Sequence, residues 1–296
     1  MNSVSTFDIE NYLKERRALI DRSLDRYLKE SKERPKTIHK AMRYGLFSGG
    51  KRLRPILMLA AGELFGGRQK ALLPFACALE MIHVYSLIHD DLPALDDDDL
   101  RRGEPANHKM FGEGIALLAG DALLTEAFHL MSRPQVARLL DPGAILELIH
   151  EISRAAGVAG MVGGQAVDLE AEGREVDVAT VEYIHVLKTG ALILASVRIG
   201  ATIAGAAPKE MRLVTRYARL LGLAFQIADD IMDMTDHLGG DGKGKKKATY
   251  PAVVGIAAAK IRVRELLSQC LKEIEVFGKS ADPLRGIARI VVERAL

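Results

Sequence analysis

Along residues 213–233 two stripes separate on one helix. Leu213, Tyr217, Leu220, Leu221, Ala224 and Ala228 fall on one face, while Gln226, Asp229, Asp230 and Asp233 recur at i, i+3, i+4 and i+7 on another. Such spacing dominates the chain and strong period-2 runs are hard to find, so the pattern predicts a mostly α protein. Thr6 is an N-cap candidate, with Asp8 and Glu10 where acids suit the positive end of a helix dipole. Pro35, Pro55 and Pro251 stand where helices begin. Breaks are expected at Gly49-Gly50, Gly66-Gly67, Pro93, Gly103 to Pro105, Pro134, Pro142, Pro208 and Gly239 to Gly244. This punctuation leaves about ten or more helices joined by short loops, with no long linker and no repeat. One all-α domain over residues 1–296 is the expectation.

Composition narrows the class. The 296 residues are 48% hydrophobic and 27% charged, which excludes disorder, and the formal net charge of +2 gives no reason to expect nucleic acid or an anionic membrane as partner. Aromatics are 5%, without tryptophan, in keeping with helices rather than strands. Cys77 and Cys270 lie in apolar stretches and read as core thiols of a reduced, cytoplasmic protein. The opening MNSVSTFDIENYLKERR has no apolar signal core. No uncharged apolar run is read as reaching the ~18–20 residues of a membrane span; Arg198 interrupts LILASVRIGATIAG. The expectation is therefore no transmembrane segment.

The acids carry the chemistry. Asp229 and Asp233, one turn apart, repel each other by a few tenths of a kcal/mol when solvated, and a cation between them removes that cost. The segment SLIHDDLPALDDDDLRRG repeats the logic: His83, Ser86 and Asp90 share a helix face, and a bend at Pro93 is expected to bring Asp96 beside Asp90. Asp97, Asp98 and Asp99 add charge nearby. Carboxylate oxygens select hard cations. Leu100-Arg101-Arg102 breaks the calcium-loop pattern, so Mg²⁺ with phosphate oxygens completing its shell is preferred.

A diphosphate also needs cations, and they cluster in Gly49-Gly50-Lys51-Arg52-Leu53-Arg54-Pro55, Arg101-Arg102-Gly103, Lys188-Thr189-Gly190 and Lys243 to Lys247. Gly45 to Lys51 is nearly a P-loop, but Arg52 stands where Ser or Thr should hold the metal and no strand precedes it.

On these motifs the chain resembles the short-chain trans-prenyl diphosphate synthases, the bacterial farnesyl and geranylgeranyl diphosphate synthase group. HDDLPALDDDDLRRG is similar to that family's first aspartate-rich motif, FQIADDIMD to its second, and the likeness runs from GGKRLRP through KATYP. The resemblance implies antiparallel helices around a deep central cavity, usually a homodimer, and head-to-tail joining of isopentenyl diphosphate to an allylic diphosphate. It implies Asp90, Asp91 and Asp96, with Asp229, Asp230 and Asp233, as ligands of three Mg²⁺ ions. It places isopentenyl diphosphate on Lys51, Arg54, His83 and Arg102. It places the allylic diphosphate on Arg101, Lys188, Thr189 and Gln226, with Lys247 a further candidate. The segment LGGDGKGKKKATYP is a few residues shorter than in many relatives, and VVERAL lacks their more basic ending.

Product length is a steric matter. One helical turn is ~5.4 Å, close to one isoprene unit, so Tyr85 and Ser86 lie one turn below Asp90 and Met81 another turn down. Tyr85 is the expected floor, and C15 is preferred to C20; Tyr-Ser before the motif resembles farnesyl-forming members, while EMIH and NHKMFGE resemble geranylgeranyl-forming ones. A terpene cyclase is disfavoured by the Lys51 and Arg54 set. A non-catalytic subunit of a heteromeric synthase is disfavoured by two intact acid motifs.

Overall fold

The computed structural model describes residues 7–29, 34–237, 249–293 and 295. The order is α1 (Ile9–Tyr27), α2 (Lys36–Phe47), α3 (Leu53–Leu64), α4 (Gln69–Asp90), a hairpin of β1 (Leu100–Arg101) and β2 (Glu104–Pro105), then α5 (Asn107–Phe111), α6 (Glu113–Met131), α7 (Pro134–Ala137), α8 (Pro142–Ala156) and α9 (Met161–Ala171). Next come α10 (Val178–His185), a π-helical turn (Val186–Gly190), α11 (Ala191–Ile203), α12 (Pro208–His237), α13 (Tyr250–Val254), α14 (Ile256–Glu273), a 3₁₀ segment (Glu275–Ala281) and α15 (Asp282–Glu293). The all-α reading holds, and most expected prolines and glycines sit at the helix boundaries. The Thr6 cap and the Gly239 to Gly244 break lie outside the described residues. Gly45 belongs to α2, which disposes of the P-loop reading.

The chain groups into two compact units. One comprises residues 13–59 and 68–149, the other 1–12, 60–67 and 150–296. In the first, α4 packs along α6 and buries Phe75, Leu79, Met81 and Ile82 completely. Each such side chain contributes about 1.5–3 kcal/mol. Small residues on α6 allow the close approach. A Cβ on Gly120 would meet the ring of His89 at 2.1 Å, so the imidazole of α4 fills the notch that this glycine leaves. In the second unit α12 is the spine, with Ile227, Ile231, Val263 and Leu266 in the core it shares with α14. Tyr217 is fully buried and its hydroxyl donates to the Leu284 carbonyl at 2.8 Å, which meets the cost of burying a phenol.

One sequence expectation needs correction. By length and composition three helical stretches are apolar enough to cross a membrane: Gln69–Asp90, Glu113–Ala137 and Val178–Ile203. A run free of charge was too strict a criterion, because a window tolerates one or two charges. For the first stretch 78% of the window is buried inside the protein, so its apolarity is that of a core helix. At the break expected at Gly103 to Pro105 the chain forms a short hairpin. Arg102 and Gly103 at φ +57° and +82° form a two-residue turn, with Leu100 opposite Pro105 and Arg101 opposite Glu104.

Candidate functional site

In the first unit the chemistry-bearing residues come from the loop before α3, the end of α4 and the hairpin. Gly49 and Gly50 have φ of +95° and +124°, open only to glycine without strain. A Cβ on Gly50 would also lie 2.6 Å from Nη1 of Arg102, which donates to the Gly49 carbonyl. Two glycines therefore give room for a guanidinium from the hairpin. Lys51 is exposed and Arg54 half-buried. His83 is half-buried among cations. Burial first, then Arg54, Arg102, Arg52 and Arg101, hold its imidazole well below the usual histidine range, so it is neutral at pH 7. Burial likewise lowers Arg102, with Arg52 and Arg101 adding to the effect against the opposing Glu80. Arg101 is paired with Asp91 and Asp98, and Arg52 with Asp21 and Glu80, so the positive charge a polyanion would meet here is mainly that of Arg102.

The acid turn follows directly. Pro93 ends α4, and the Asp96 amide donates to the Asp90 carbonyl at 2.8 Å, so the expected bend does bring these residues together. Both are half-buried. Asp91 differs. It is 2% exposed, and its Oδ1 accepts from Nε of Arg101 at 2.8 Å and from Nη2 of the same side chain. Burial raises its pKa against the opposing Arg101. Arg101 also meets Asp98 at 3.0 Å, and Asp99 pairs with Lys109 at 2.6 Å. A narrow pocket lined by Tyr44, Ser48, Asp91, Arg101 and Arg102 opens beside this cluster.

Below the acids on α4, Met81 is fully buried and Tyr85 is 7% exposed. The Tyr85 ring meets His89 edge-on at 5.7 Å. Ser86 turns its hydroxyl back to the His83 carbonyl at 2.8 Å, as serine does within helices.

In the second unit the organising feature is the π turn that carries Lys188 and Thr189. Such one-turn irregularities cluster at functional sites. Glycines let its neighbours close on it: a Cβ on Gly164 of α9 would lie 2.2 Å from the Lys188 nitrogen, and one on Gly222 of α12 would lie 3.0 Å from the Gly190 Cα. Lys188 Nζ meets Asp168 of α9 at 2.6 Å, and the Thr189 hydroxyl donates to Oε1 of Gln226 at 2.6 Å. The carboxylate stripe on α12 is not uniform. Asp229 and Asp233 are exposed, whereas Asp230 is 7% exposed and turned into the protein. Its Oδ2 lies 3.2 Å from Nε2 of His185 and accepts the Tyr250 amide at 2.7 Å, which satisfies a first-turn donor of α13. The expectation that the whole stripe faces away from the packing surface fails at Asp230, because α10 and α13 supply donors the sequence does not pair with it.

The sequence reading missed Asp168 and His185. The i, i+3 pair Gln165 and Asp168 was the available signal for Asp168; nothing local marked His185. Lys247 lies outside the described residues. Among the described residues no three His, Cys, Asp or Glu side chains converge on a ready-made metal cage. In the first unit the hard oxygens of Asp90 and Asp96, and in the second those of Asp229 and Asp233, suit Mg²⁺, which takes one or two carboxylates and leaves the rest of its shell to phosphate and water.

Comparison with known proteins agrees with this chemistry. Residues 35–281 match the family described as polyprenyl synthetase. The farnesyl diphosphate synthase of Geobacillus stearothermophilus is 46% identical, over 98% of this chain and 99% of that protein. The geranylgeranyl diphosphate synthase of Cyanophora paradoxa is 42% identical, over 98% of each. A crystal structure of an FPP/GFPP synthase from Zymomonas mobilis superposes with a TM-score of 0.87 at 41% identity, covering 96% of this chain and 98% of that one. With a glycine-bedded guanidinium cluster beside one acid turn, and the family's pattern running across nearly the whole chain, the protein belongs to the polyprenyl synthetase family and is a prenyltransferase of the short-chain trans-isoprenyl diphosphate synthase type.

Proposed function

We propose that the protein condenses isopentenyl diphosphate with dimethylallyl or geranyl diphosphate and releases farnesyl diphosphate, as one domain over residues 1–296 and as a cytoplasmic homodimer. The observation that carries the reading is the Arg102 guanidinium bedded on Gly49 and Gly50 beside the acid turn in which Asp96 meets Asp90. Lys51, Arg54, His83 and Arg102 take the diphosphate of the isopentenyl substrate. Arg101, Lys188, Thr189, Gln226 and Lys247 take the allylic one. Asp90, Asp96, Asp229 and Asp233 hold Mg²⁺, while Asp91 and Asp230 hold the neighbouring protein donors in place. When bound, the metal supplies Lewis-acid stabilisation of the charge that develops on the departing diphosphate. The arginines and lysines add fixed positive charge where that negative charge grows. No protein nucleophile is required, since the isopentenyl double bond attacks the allylic cation as the diphosphate leaves, and the new cation loses a proton to restore a double bond. Buried Met81 and Tyr85 keep the hydrocarbon side dry, so water does not quench the cation.

Tyr85, one turn below Asp90, supports C15 as the limit. A C20 product is the second reading, favoured by the 42% identity to the geranylgeranyl diphosphate synthase of Cyanophora paradoxa. Exposed Leu117 and Leu118 on α6 support a second copy as partner, and two buried free thiols suit a reducing compartment. The test is incubation with labelled isopentenyl diphosphate, each allylic diphosphate and Mg²⁺, followed by chromatographic sizing. A C15 product supports the proposal, C20 moves it to the second reading, and no Mg²⁺-dependent product overturns both.

A further inference from the structure

The GGKRLRP segment contains one guanidinium that the diphosphate reading does not use. Arg52 is 3% exposed and points into the protein. All three of its nitrogens donate: Nε to Oδ1 of Asp21 at 2.8 Å, Nη1 to Oε1 of Glu80 at 2.9 Å, and Nη2 to the Leu46 carbonyl at 2.5 Å. The acceptors come from three helices, α1, α4 and α2. The Arg52 backbone is left-handed, with φ +53°, a conformation non-glycine residues avoid unless their surroundings impose it. Its carbonyl accepts the Ile56 amide at 3.0 Å, so the same residue also sets where α3 starts.

The placement has a consequence for the neighbours. Lys51 immediately precedes the inverted residue and Arg54 follows two positions later. The direction of both side chains depends on the Arg52 torsion. On the other side of the loop, Arg102 lies over Gly50 and binds the Gly49 carbonyl. The loop is thus held between the two diphosphate cations by Arg52 and, just before Lys51, by Arg102 at the Gly49 carbonyl. A buried arginine–carboxylate pair is a poor device for stability alone, because desolvation offsets the attraction. It is an effective device for fixing geometry, since a planar fork engaged at three nitrogens has no rotational freedom left.

We infer that Arg52, held by Glu80 and Asp21, is a positioning residue that presets the separation of Lys51 and Arg54 for the isopentenyl diphosphate without touching it. The inference rests on the reading of Lys51, Arg54 and His83 as that substrate's cradle. The experiment compares the wild type with the double variant Arg52→Leu/Glu80→Leu, which replaces the buried pair by apolar groups and leaves neither of its two charges buried alone. Affinity for isopentenyl diphosphate is read by calorimetry without Mg²⁺ or allylic substrate, and KM for each substrate by steady-state kinetics. The expected result is a tenfold or larger loss of isopentenyl diphosphate affinity, with kcat and the allylic KM within about twofold of wild type. Unchanged affinity in the folded variant, or equal losses for both substrates, overturns the inference. Should the double variant not fold, Asp21→Ala carries the test, because that side chain is 35% exposed and its removal takes away the acceptor of Arg52 Nε. A rise confined to the isopentenyl KM supports the inference, and no rise or a parallel one overturns it. Arg54→Ala separates the two levels. If it leaves isopentenyl diphosphate binding intact, the cradle assignment fails and this inference with it. If it weakens binding while the Arg52 variants do not, only the inference fails.

Discussion

Gly164→Ala tests whether the π turn is set by its packing. The added Cβ would stand 2.2 Å from the Lys188 nitrogen, 2.6 Å from its Cα and 2.9 Å from the Leu187 carbonyl carbon. All three atoms are backbone, so no rotamer change relieves the clash. Reaching ordinary carbon–nitrogen contact requires a separation increase of about 1 Å or more. That displacement falls on the residue pair whose side chains meet Asp168 and Gln226 at 2.6 Å each. Overpacking of this kind costs about 1–3 kcal/mol, which lowers Tm by several degrees but leaves a folded protein. A shift of about 1 Å in a positioning group costs about 100-fold in rate. Steady-state kcat with geranyl diphosphate, alongside a thermal melt, separates the two effects. Gly222→Ala, whose Cβ would meet the Gly190 Cα at 3.0 Å, is expected to cost less, and Gly114→Ala, with nothing within 4 Å and no positive φ, to leave kcat unchanged. Wild-type kcat in a folded Gly164→Ala variant, or the three substitutions losing equal activity, would refute the reasoning.

Asp90→Asn and Asp229→Asn are each expected to lower kcat by about 100-fold or more with melting points near wild type; near-normal turnover in either removes that carboxylate from the metal set. Tyr85→Ala should shift products beyond C15, and an unchanged chromatographic distribution rejects the floor role. His83 is held neutral in the fold while the unfolded chain takes up a proton near its ordinary value. Its contribution is therefore fully present above about pH 6.5 and is lost as pH falls towards the depressed native value, with a slope of up to about 1.4 kcal/mol per pH unit. Urea unfolding of His83→Gln against wild type at about pH 7.5 and about pH 5.5 checks this: the variant should lose less stability on acidification, and equal losses count against a neutral His83.

The helices, their proline starts and the two acid motifs were legible in the sequence because each depends on neighbours within about one turn. Asp90 and Asp96 meet as the bend at Pro93 predicts, and Gln226, Asp229 and Asp233 share a helix for reasons of spacing alone. Spacing did not distinguish Asp90 from Asp91 or Asp229 from Asp230. The second member of each pair is buried, and its partners lie elsewhere: Arg101 in a hairpin that helical periodicity does not foresee, His185 on α10 and the Tyr250 amide on α13. The π turn was equally hidden, since Gly164 and Gly222 matter only through the backbone they approach. Arg52 shows the division most clearly. In the sequence it is one cation among several in GGKRLRP, and only Asp21, Glu80 and the Leu46 carbonyl, brought together by packing, turn it inward. Local spacing determined which residue types were available and on which helix face; long-range packing decided that Asp91, Asp230 and Arg52 turn into the protein, because their partners come from other elements.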